Sequence, residues 1–143
     1  MARKLTVAGV VLGAYLLVNL AHGVPHAIIP VPLTSFQSAF VVFVVTLGPI
    51  IGFDLLRRGA ERTGSAIFVG SMVASLGFGI YFHFLVPNPD NVHAVHGPWR
   101  LPFFVTAALV AIAGAGGVAV SRLVRGCCGA PTESTPKSLT DRR

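Results

Sequence analysis

Residues 36–58 read FQSAFVVFVVTLGPIIGFDLLRR. Positions 36–53 carry no charge, and the run closes on Asp54 and the pair Arg57 and Arg58. The hydrocarbon core of a bilayer, about 30 Å thick, takes roughly 20 apolar residues of helix. The apolar positions are nearly continuous rather than confined to one stripe, which is the pattern of a helix surrounded by lipid or by other helices. The run predicts a transmembrane helix over 36–56, with Thr34 or Ser35 as its N-cap. Pro49 brings no amide hydrogen and should loosen the ladder near Thr46 to Gly48.

Three more segments read the same way. The first, 5–21, follows Arg3 and Lys4. The third, 65–85, has Thr63 as a candidate cap and stops at Val86-Pro87-Asn88-Pro89. The fourth, 102–120, opens on Pro102, suited to a first helical turn, and closes on Arg122 and Arg125. A cleaved signal peptide is the rival reading of residues 1–21, but the apolar stretch is long for one, and Asn19 with Ala21 makes a poor cleavage pattern. Only 11% of the 143 residues are charged, against about a quarter in soluble domains, and mean hydropathy is +0.74. The expectation is an all-α integral membrane protein: a four-helix bundle over residues 1–126, then a disordered tail over 127–143.

The net charge of +6 does not point to nucleic acid, because Lys and Arg flank the apolar runs and form no stripe interleaved with aromatics. With the N-terminus inside, ten of the eleven basic residues fall on the cytoplasmic side and only Arg100 on the outer side. The positive-inside rule therefore puts both termini in the cytoplasm of a cell-membrane protein. The two cysteines, Cys127 and Cys128, are adjacent. They read as free thiols in the tail, since neighbours make neither a disulfide framework nor a spaced zinc site.

Helices in lipid associate through small residues and interhelical hydrogen bonds. Ser71, Ser75, Gly79 and His83 recur at four-residue steps on one face of the third helix. Ala107, Ala111, Gly114 and Gly117 offer a matching face on the fourth, so these two should pack backbone to backbone. Asp54 lies within reach of Arg57 and Arg58 on its own helix, as a local ion pair.

All five histidines fall toward the predicted outer face: His22 and His26 on the first helix, His83 on the third, His93 and His96 in the following loop. Tyr15, Asn19, His22 and His26 follow steps of four, three and four, a polar stripe facing the bundle if the helix continues. Gly23 and Pro25 put His26 in doubt. Three or four neutral imidazoles would suit zinc or copper, and all five histidines are candidate ligands. Asp90 is the only outer carboxylate, too few for di-iron chemistry. Haem b is the other cofactor the histidines suggest, with His22 and His83 as axial ligands, and Trp99 and Arg100 meeting the propionates. The absence of C-x-x-C-H excludes covalent c-type attachment. The bland alternative is that the histidines cap helix ends and loop carbonyls.

No nucleophile elbow, H-E-x-x-H or P-loop pattern occurs, so no enzyme is expected. Two function classes remain. One is a metal-handling or redox protein with a histidine site; the other is an accessory subunit without cofactor, packed against partner membrane subunits or its own copies in the lipid bilayer.

Overall fold

The computed structural model describes residues 2–29 and 31–125. Cys127, Cys128 and the tail expected over 127–143 lie outside them. Among the described residues there is helix and no strand, arranged as four rods. The first is α1 (Ala2–Ile28). The second joins α2 (Ser35–Phe40), a π-helical stretch (Val41–Leu47) and α3 (Gly48–Arg57). The third is α4 (Glu61–Ile80) ending in a π-helical turn (Tyr81–Leu85). The fourth is α5 (Arg100–Arg125).

The apolar stretches of these rods run 22 to 27 residues, or about 33 to 40 Å at 1.5 Å per residue. Each is long and apolar enough to cross a membrane. Large apolar side chains stand outward all round the bundle, among them Leu20, Phe36, Leu101 and Ile112, each about two-thirds or more exposed. Water would penalise such a surface, whereas a bilayer covers it.

The ends differ from expectation in instructive ways. Thr34 caps α2 in a reciprocal box: its hydroxyl accepts from the Gln37 amide at 3.2 Å, and the Thr34 amide donates to Gln37 Oε1 at 2.8 Å. The third rod begins at Glu61 with Ala60 before it, so Thr63 sits inside the helix and does not cap it. The first rod runs through Gly23 and Pro25 to Ile28, with the Ile29 amide donating to the Pro25 carbonyl at 2.8 Å. Pro49 acts as expected, over a wider stretch. It has no hydrogen for the Val45 carbonyl, the ladder lengthens to five-residue spacing over Val41–Leu47, and Tyr15 donates its hydroxyl to that carbonyl at 3.3 Å.

The rods meet in the order first, fourth, third, second. The first rod meets the second mainly at one end, where Gly9 seats the Phe53 ring. The third and fourth pack as expected, but not backbone to backbone. At Gly114 and Gly117 the groove is filled by the side chains of Leu76 and Met72. The backbone-close contact lies instead between the second and third rods. There a Cβ on Gly52 would come within 2.5 Å of the Phe68 amide nitrogen, and one on Gly64 within 2.7 Å of that of Leu56. Asp54 pairs with Arg58 at 2.6 Å on the exposed surface.

Candidate metal centre

The four-residue step from His22 to His26 puts both imidazoles on the inner side of the first rod, because the helix does not stop at Pro25. On the third rod, strict α-helical geometry would let every fourth residue drift round the axis. The π-helical turn takes more residues per revolution and offsets that drift, which keeps His83 over Ser75 and Gly79. Phe103 of the fourth rod, fully buried, backs all three imidazoles with ring centroids 5.1 to 5.8 Å away.

The result is a tight group. His22 Nε2 lies 3.2 Å from His83 Nε2 and 3.1 Å from His26 Nε2. One nitrogen from each ring lies within 4.8 Å of the other two. A tetrahedral ion with bonds of about 2.0–2.1 Å to nitrogen holds its ligand atoms about 3.3 Å apart. Two of the three separations match that spacing.

Counting hydrogens shows what the group lacks. His83 Nδ1 lies 3.0 Å from the Asp90 carbonyl, which can only accept, so the His83 hydrogen is on Nδ1. Thr106 Oγ1 lies 2.8 Å from the Pro102 carbonyl and 2.9 Å from His22 Nδ1. It can take a His22 hydrogen on Nδ1 while donating to that carbonyl, or turn its own hydrogen to Nδ1 and leave the His22 hydrogen on Nε2. With the His22 hydrogen on Nδ1, both Nε2 atoms present lone pairs to each other at 3.2 Å inside the protein. His26 brings one hydrogen at most to this gap. Two buried acceptors pointed at one another repel unless a cation sits between them. Outer hydrogen bonds that fix tautomer and ring orientation are what metal-ligating histidines have.

Asp90 adds negative charge. It is 3% exposed, and its Oδ1 lies 3.3 Å from His26 Nε2 and 3.4 Å from His83 Nδ1 with no well-aligned donor. Among the described residues, His26 Nδ1 is likewise buried without a partner. The turn around Asp90 is locally fixed. The Asp90 amide donates to Asn88 Oδ1 at 2.7 Å, Asn88 Nδ2 reaches the Val86 carbonyl at 2.7 Å, and the Val92 amide donates to the His83 carbonyl at 2.9 Å.

His93 and His96, expected as ligands, stand exposed and apart from the group. Val92 and Val95 follow the same three-residue step one place earlier, and they take the inward side against Phe103 and Ala107. Burying two valines is favourable and burying two imidazoles without partners is not. Trp99 is half-buried, and Arg100 is exposed in a surface pocket with His93. Neither reaches the imidazoles. Phe103 packs against the His22 and His83 rings, and the His26 ring meets that of His22 edge-on.

No family model, curated protein or solved structure matches this chain. The site stands on its geometry.

Sequence reasoning missed Thr106 and Phe103 and gave Asp90 no role beside the imidazoles. For Asp90 a signal existed, as the only carboxylate near the histidines within an Asn-Pro-Asp-Asn turn. Thr106 and Phe103 carried none beyond their place on the fourth rod.

Proposed function

We propose that this chain is a multi-pass membrane protein that binds one transition metal ion, zinc or copper, through the Nε2 atoms of His22, His26 and His83. Its role is metal handling or redox chemistry rather than enzymatic turnover. The observation that carries this reading is three imidazole nitrogens within 4.8 Å of one another, with an oxygen beside the Nδ1 atoms of both His22 and His83 that can take the ring hydrogen and free Nε2 to ligate. Three nitrogen ligands leave a position open for a fourth. The clustering of Lys and Arg supports a cell-membrane protein with both ends in the cytoplasm and the histidines at the opposite face.

The test is elemental analysis of detergent-purified protein, followed by titration with zinc, copper and cobalt. One ion per chain is expected. A protein that arrives metal-free and takes up none of the three overturns the reading.

A further inference from the structure

A cavity of about 520 Å³ begins at His22, His26, His83 and Asp90 and runs between the first, second and third rods, with Val110 of the fourth in its wall, as far as Tyr15 and Ser75. That volume is within the range of small-molecule sites, about 300–1,000 Å³. From His83 to Ser75 is eight residues and from His26 to Tyr15 eleven, giving a shaft of about 12 to 16 Å at 1.5 Å per residue.

Its chemistry is polarised. The polar side chains on the lower walls turn their hydrogens to backbone carbonyls: Tyr15 to Val45, Asn19 to Tyr15, Thr46 to Val41 and Ser75 to Ser71. Between them lie Leu16, Val41 and Ile50. Metal-ligating capacity is therefore concentrated at the histidine end, with the Asn19 amide oxygen a polar group between. The shaft also opens sideways. Nearer the histidines than the Tyr15 contact, the walls include Leu20 on the first rod, 74% exposed, and Leu33 before the second, 36% exposed. The opening faces the side of the bundle, where a bilayer would supply hydrocarbon chains, rather than its polar end.

We propose that this cavity binds a single-chain amphiphile with a carboxylate head. The chain lies in the shaft and the carboxylate fills the metal's open position. The proposal rests on the metal reading above and names the ligand class of that same site. Charge selects the head. A divalent ion, three neutral imidazoles and the Asp90 carboxylate sum to +1, and one further monoanion neutralises a site held away from water. A carboxylic acid is ionised at neutral pH, whereas a phenol, near pKa 10, is not. Length selects the chain. At about 1.2 Å per bond, the reach of an extended backbone, the shaft takes ten to thirteen bonds, about the length of laurate.

The experiment uses full-length protein in non-ionic detergent, loaded with cobalt(II), whose visible bands report its ligands. Laurate, dodecanol and acetate are titrated separately. Laurate is expected to shift the bands at a concentration at least about tenfold below either control, because acetate lacks the chain and dodecanol the charge. Two variants fill the shaft. Gly23→Phe starts from a position where an added Cβ meets nothing within 4 Å, and Val41→Phe acts from the opposite wall. Both should keep the cobalt spectrum and lose the laurate response at least about tenfold. If cobalt binds but laurate acts no better than acetate, or both variants respond as wild type, the proposal is overturned while the metal reading stands. If wild type takes up no metal, both fall together.

Discussion

Thr106→Val tests the hydrogen count most directly. Thr106 touches no ligating nitrogen; placed 2.9 Å from His22 Nδ1, it can accept that ring's hydrogen in the loaded protein and so free Nε2 to ligate. Valine keeps the branched shape and removes the acceptor. His22 is 7% exposed, so water does not readily replace the lost partner. Leaving that hydrogen buried and unpaired costs about 1–3 kcal/mol. The ring avoids the cost by moving its hydrogen to Nε2, where it can donate to His83 Nε2 3.2 Å away. That tautomer blocks the metal. The metal-bound state must restore the unpaired Nδ1 hydrogen, so the penalty falls on the loaded protein.

Affinity for zinc should drop about 10- to 100-fold, the usual range for losing an outer partner of a ligating histidine. This corresponds to about 1.4–2.8 kcal/mol at 1.4 kcal/mol per decade. The assay is competition against a chromophoric chelator, paired with thermal unfolding in detergent with and without zinc. The metal-free melting temperature should move little, because the new tautomer satisfies His83. Unchanged zinc affinity, or equal losses of stability with and without metal, would refute the tautomer argument.

Other outcomes follow from the same geometry. His22→Ala and His83→Ala should each lower zinc affinity by at least about 100-fold, whereas His93→Ala and His96→Ala, at exposed positions, should leave stoichiometry and affinity unchanged in the same assay. Gly52→Ala, whose Cβ would overlap the Phe68 backbone, should destabilise the protein by about 1–3 kcal/mol in thermal unfolding. Gly13→Ala, facing open space, should be neutral or slightly stabilising.

Several features of this molecule were legible in its sequence because one physical term dominated them. Continuous apolar runs fixed the four rods, Pro49 the loosened ladder, and the spacing of Tyr15, Asn19, His22 and His26 the inward stripe. Where two terms competed, the weaker was read. Pro25 and Gly23 argue for a helix end by the conformational preferences of soluble chains. Between apolar surroundings, however, an unpaired backbone group costs several kcal/mol, and the helix runs on. His93 and His96 have the spacing to share a metal, but Val92 and Val95 have the same spacing and a greater gain from burial. Asp90 was weighed as a possible iron ligand, although its position beside two imidazoles makes it a counter-charge. No periodicity reports that distinction, because the turn that places Asp90 is built from side-chain bonds of Asn88 and Asn91.

The first and third rods pack on the fourth rather than along each other, yet they supply all three imidazoles. Near this end of the bundle their direct link is therefore the histidine group. In the metal-free protein that link is the 3.2 Å approach of His22 Nε2 and His83 Nε2, held by α5 packing through Phe103 and by the Val92–His83 bond that pins the loop. A bound ion would put two or three coordinate bonds between the rods, making metal loading a stabilisation of the bundle itself. The gain grows as RT ln(1 + [metal]/Kd), about 2.7 kcal/mol at a hundredfold excess over Kd.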